Sequence, residues 1–180
     1  MEKVQEKNLS GVFHGVHDIR VDELDMPVIS NRAILIKVAT AGICGSDLHF
    51  YNAGNVPVGS VLGHEFSGTI VEMGKSVKNL AIGLRVVVNP NIAGTGIGMS
   101  PGGFAEYVLI DQVQVGHNVF PIPYNISDEQ GAMIEPLSVT LAAVKLAEFR
   151  TSDTMLIHGA GTIGLATLAS LIALGVKILL

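Results

Sequence analysis

Residues 158–164 read "HGAGTIG", and an apolar run lies on either side of them. The run before, "TMLIHGA" (154–160), predicts a buried strand. The run after, 161–175, predicts a helix ending at Gly175, and "VKILL" (176–180) opens a second strand. Glycines at 159, 161 and 164 allow a tight turn, close approach of a ligand, and close packing of helix on strand. The C-terminal part is therefore β-α-β. One such unit cannot cover both faces of a parallel sheet, so this region reads as the start of an α/β domain.

The context makes this turn a candidate dinucleotide site. Gly159, Gly161, Thr162, Ile163 and Gly164 would bring backbone amides and a helix N-terminus to a pyrophosphate. The acidic residue that would meet the ribose is expected about 20 residues on, past Leu180. NAD and NADP are therefore not distinguished. The plain alternative is a tight turn with no ligand. A second glycine cluster, "AGTGIGMSPGG" (93–103), precedes a strand and not a helix, so it reads as a loop without phosphate.

The chain before this region has a different pattern. Between residues 10 and 123, short β-branched runs alternate with Gly, Asn, Pro and Ser: "AILIKVAT" (33–40), "GTIVEM" (68–73), "LRVVVNP" (84–90) and "FAEYVLI" (104–110). That spacing predicts a β-sandwich or barrel. Ser127 and Gln130 have capping-box spacing at the head of a helical stretch, which Pro136 should kink or split. The reading is α+β, with a β domain over 1–125, a connecting helix over 126–150 and an incomplete α/β portion over 151–180.

Hydrophobic residues make up 48% and charged residues 15% of 180, enough to build a core. A net charge of −5 without any Lys/Arg run argues against nucleic acid and anionic membranes as partners. The polar "MEKVQEKNLS" does not read as a signal peptide, and the longest apolar run, near 163–174, is interrupted by Thr167 and Ser170. A single cysteine excludes an internal disulfide and suits a reducing cytoplasm.

That cysteine stands in "GICGSDLHF" (42–50). Cys44 alone reads as a small buried residue, a nucleophile with His49 or His64 as its base, or a metal ligand. "VLGHEFSG" (61–68) adds an imidazole and a carboxylate, His64 and Glu65, both good zinc donors. Glu135, before Pro136 in an otherwise apolar helix, is a carboxylate that would be costly to bury without a positive partner.

Together, "GICGSDLHF", "VLGHEFSG", "GGFAEYV", "EPLSV" and "GAGTIG" resemble the zinc-dependent medium-chain alcohol and polyol dehydrogenases, in the family's order. The resemblance implies a GroES-like β-barrel catalytic domain followed by a Rossmann domain. It implies Cys44, His64 and Glu65 as ligands of a catalytic zinc. Glu135 stands where the sorbitol dehydrogenase-like branch has glutamate, ligating directly, through water, or in exchange with Glu65. Ser46 and His49 match the family's proton relay, and Asp47 its carboxylate behind the ligating imidazole. Phe50 and Tyr51 would line the pocket. The implied partners are a small-molecule alcohol or polyol and NAD or NADP, in a homo-oligomer. On this reading no protein nucleophile is needed.

Two departures stand out. The family's four closely spaced cysteines of a structural zinc lobe are replaced by "NIAGTGIGMSPGG", so one catalytic zinc and no structural zinc is expected. Family members also continue well beyond residue 180. The competing expectation is a truncated, non-catalytic zinc-binding fragment with weak or absent NAD(P)H binding. A zinc-free reductase of the same superfamily is disfavoured by Cys44, His64, Glu65 and Glu135 together. Exposed apolar surface is expected around 154–180.

Overall fold

The structure is a computed structural model, and it describes residues 6–176. The chain divides after Ala132 into two compact units.

The first unit is built on β1 (Lys7–Gly15), β2 (Asp18–Asp25), β3 (Ile34–Gly42), β4 (Glu65–Met73), β5 (Arg85–Val88), β6 (Tyr107–Ile110) and β7 (Val119–Pro121). β1 and β2 form an antiparallel hairpin, and the others form a five-stranded antiparallel sheet in the order β6-β3-β4-β5-β7. Ile34, Ile36, Phe66, Ile70, Val86, Val108 and Ile110 fill the core. Within β3 and β6 these residues are two apart, as one face of a pleated strand requires. Single bridges, Ser10 to Ala105 and Val12 to Val61, tie the hairpin down. The buried side chain of Asn8 completes the tie, donating to the Tyr107 carbonyl at 2.9 Å and accepting from its amide at 3.0 Å.

The β3–β4 pairing contains two bulges. One leaves Val71 of β4 without an opposite residue, and the other leaves Ala39 of β3 so. They cancel, and Gly42 ends directly opposite Glu65.

Three short helices join this unit: α1 (Gly45–Ala53), α2 (Pro90–Ala93) and α3 (Asp128–Ala132). The predicted Ser127 box is formed, with Gln130 N donating to Ser127 Oγ and Ser127 N to Gln130 Oε1. Arg85 of β5 donates to the carbonyls of Pro123 and Ile126 and to the Asp128 carboxylate, fixing the connection that leads into α3.

The second unit holds α4 (Ile134–Leu146) and α5 (Thr162–Ala173), packed through Val144, Leu171 and Val176. The helical stretch expected over 126–150, to be kinked or split at Pro136, is two helices, α3 and α4, that part at Met133. Pro136 is the third residue of α4, where its missing N–H would have had no intrahelical acceptor. Residues 154–160, expected as a strand, enter no ladder among the described residues. A strand exists only by pairing, and most of its expected neighbour, 177–180, lies outside the described residues. Leu156, Ile163, Leu165 and Ile172 are exposed, the apolar surface expected there.

Candidate metal centre

Cys44 is the N-cap of α1, a helix the hydrophobic pattern does not announce. Its boundaries come from its ends. Asp47, in the first turn, accepts a hydrogen bond from Cys44 N at 2.8 Å, and Gly54 closes the helix at φ 72°. That capping brings the Asp47 carboxylate back over the cysteine. Its other oxygen accepts from Gly63 N at 3.3 Å and stands 3.7 Å from His64 Nδ1. One buried carboxylate thus links the segment carrying Cys44 to the segment carrying His64 and Glu65.

Neighbours in a regular strand point to opposite faces, so His64 and Glu65 could not both face Cys44 from within β4. Gly63, at φ 88°, turns the chain just before the strand, and His64 lies outside its first residue. Phe104 occupies the space where a Gly63 side chain would stand, 2.5 Å from the position of a Cβ. Backbone bonds from Gly103 N to Gly63 O and from Phe104 N to Leu62 O hold the turn. Gly96 and Gly102 press against the same turn: a Cβ on either would lie 2.2 or 2.4 Å from Gly63 O. The glycine cluster at 93–103 carries no helix N-terminus of the phosphate-binding kind. It packs against the peptide before His64, a role the sequence reading missed.

Cys44 Sγ, a His64 ring nitrogen and a Glu65 carboxylate oxygen lie within 4.8 Å of one another. His64 and Glu65 are buried, and Cys44 is partly buried. His64 Nδ1 is buried without a hydrogen-bond partner. Buried polar atoms are rarely left in that state. Thiolate, imidazole and carboxylate are the zinc donor types, and three protein donors with an open position are the usual catalytic count. These residues fit a zinc ion.

Asp47 raises the His64 imidazole from 6.5 to about 9, against desolvation by burial, with Cys44 adding to the rise. At 3.7 Å the attraction is between charges, since that distance is too long for a hydrogen bond. A pKa raised by folding contributes stability that is complete below pH 6.5 and lost as pH climbs through about 9. For the metal-free chain that loss is up to about 3 kcal/mol. Urea midpoints in chelator at pH 6 and pH 9 measure it; His64→Ala flattens the profile. Zinc must displace this proton, so zinc affinity rises over the same range.

Other site residues separate into distinct places. Ser46 and His49 are three apart on α1, hence neighbours on its surface. His49 is exposed, with Asn55 Nδ2 3.1 Å from its Nε2; Asn55 carries no sequence signal. Phe50 packs with Phe13, Val56 and Leu62. The Tyr51 hydroxyl donates to the His17 carbonyl at the β1–β2 turn. Glu135 lies in the second unit, in the first turn of α4.

The glycine turn also lies in the second unit. Gly159 has φ 112°, and a Cβ on Gly164 would lie 2.0 Å from the Gly159 carbonyl. Gly161, the N-cap of α5, faces open space, where nothing would meet a Cβ within 4 Å. The cleft there measures about 560 Å³ and is lined by residues 156–159, 161–164 and Thr167. The three glycines thus supply a left-handed turn, an open approach to the head of α5 and a close contact between turn and helix.

Residues 30–124 match the alcohol dehydrogenase GroES-like domain. The chain belongs to the medium-chain alcohol dehydrogenase family. It is 36% identical to (R,R)-butanediol dehydrogenase of Bacillus subtilis over 91% of its length and 54% of that protein. It is 32% identical to sorbitol dehydrogenase of Bos taurus, over 97% of its length and 55% of that protein. Acetophenone reductase of Geotrichum candidum, solved in complex with NAD, superposes with a TM-score of 0.84 at 25% identity, covering 96% of this chain and 57% of that one. The chain spans about half the length of the curated relatives it matches. No helix among its described residues is long and apolar enough to cross a membrane.

Proposed function

We propose that this chain carries the catalytic zinc site and the phosphate-binding turn of an oxidoreductase that moves a hydride between a secondary alcohol or polyol and NAD or NADP. The observation that carries the reading is the convergence of Cys44, His64 and Glu65 within 4.8 Å, with His64 and Glu65 buried.

Bound there, zinc supplies Lewis acidity toward an alcohol oxygen, and a nicotinamide accepts or returns the hydride. The residues do the rest. Cys44, His64 and Glu65 hold the ion, and Asp47 keeps their two segments in place. Ser46 takes the hydroxyl proton and passes it along α1 to His49, which is exposed to water. Gly161 leaves room for a pyrophosphate, and the amides of Thr162, Ile163 and Gly164, which have no acceptor within α5, face it. The parent protein works in the cytoplasm as a homo-oligomer, and the exposed apolar side chains of the second unit offer it surface to associate.

Metal analysis and a substrate panel test this. The purified chain is expected to hold about one zinc. The parent protein is expected to reduce NAD or NADP with vicinal diols or sugar alcohols, and to lose that activity to a chelator. Absence of zinc defeats the reading. Zinc without turnover in the parent leaves a metal-binding module in its place.

A further inference from the structure

We infer that Gly42 is a positioning residue for the metal centre: its missing side chain is the space in which the Glu65 carboxylate lies. The inference rests on the zinc reading above. Gly42 ends β3 directly opposite Glu65 on β4. Side chains of such a pair normally stand side by side, with Cβ atoms about 4.5–5.5 Å apart. Here a Cβ on residue 42 would lie 3.3 Å from Glu65 Cβ and 2.6 Å from Glu65 Oε2. The carboxylate is therefore folded across the neighbouring strand, over the backbone of Gly42. Cys44 follows two residues later, and the same carboxylate places an oxygen within 4.8 Å of its sulfur and of a His64 nitrogen.

Backbone conformation does not explain the glycine. Gly42 is absent from the residues with positive φ, so any residue could adopt its shape. The atom an added methyl group meets first is the end of a flexible side chain. Alanine at 42 therefore has a specific consequence. The sheet keeps its geometry while the carboxylate swings away from the other two donors. Cys44 and His64 are untouched.

Zinc affinity measured by competition with a chromogenic chelator tests this, with cobalt substitution reporting on the thiolate. Gly42→Ala is expected to weaken zinc binding 10- to 100-fold, the range for residues that hold a ligand in place. The cobalt–thiolate absorption band should persist, and the metal-free melting temperature should be unchanged. Glu65→Ala should weaken binding at least as much, and Gly42→Ala added to it should weaken it no further. Should Gly42→Ala alone fail to fold while the double variant folds, the clash with the carboxylate is demonstrated directly. Wild-type zinc affinity in Gly42→Ala overturns the inference alone. So does a further loss in the Glu65→Ala background, or a double variant that does not fold. A wild-type chain that takes up no metal overturns the zinc reading and this inference with it.

Discussion

Cys44→Ser is expected to reduce zinc in the purified chain to a small fraction of an equivalent, with affinity down by more than about 100-fold. Serine nearly matches cysteine in size, and the Asp47 bond at this position is to the backbone amide of residue 44. The α1 cap and the link to Gly63 therefore survive. What is lost is the thiolate, the soft donor among the three. The remaining imidazole and carboxylate make a two-donor site. Zinc should raise the melting temperature of the wild-type chain and leave that of the variant unmoved, because binding stabilises only a folded state that holds the ion. A Cys44→Ser chain that retains stoichiometric zinc removes the site assignment.

The largest stability effect is expected at Gly96. It has φ 72°, and a Cβ there would lie 2.2 Å from the Gly63 carbonyl. That carbonyl is pinned by the Gly103 amide at 2.6 Å, so it has little freedom to retreat. Gly96→Ala should cost about 3 kcal/mol or more, combining left-handed backbone strain with a backbone clash. For a chain of this size that lowers the melting temperature by roughly 10 °C. Gly116 is the control: its φ is 78°, but nothing lies within 4 Å of an added Cβ. Gly116→Ala should show only the strain, about 1–2 kcal/mol. Circular dichroism melts of the two variants make the comparison, and equal losses would deny Gly96 any role beyond its turn. Because the pushed peptide leads into His64, Gly96→Ala should also weaken zinc binding.

Some of this arrangement could be read from residue order. The β-branched runs at 33–40, 68–73, 84–90 and 104–110 mark strands that the structure places at 34–42, 65–73, 85–88 and 107–110, and Ser127 with Gln130 marks a helix start. Cys44, His64 and Glu65 stood out as donors by type. Their grouping came from the resemblance of the motifs and not from their spacing, because it depends on Gly63 turning the chain and on Asp47 linking two segments. α1 escaped notice because its ends define it, not its apolar spacing. The 93–103 loop showed only that it was a loop; its packing against Gly63 is a tertiary fact. Residues 154–160 have a strand's composition, but hydrogen-bonded partners make a strand, and composition does not supply them.

The paired bulges of β3 and β4 couple the far end of the sheet to the proposed metal site. Val71 and Ala39 are extra residues on opposite strands, so each undoes the offset of the other before the pairing reaches Gly42 and Glu65. Losing either one would carry the strands to the site one step out of phase, with Ala41 or Ile43 facing Glu65 in place of the glycine. Metal uptake therefore reads out alignment over the whole length of this strand pair. A misthreaded chain could keep its apolar core and still be unable to hold the ion.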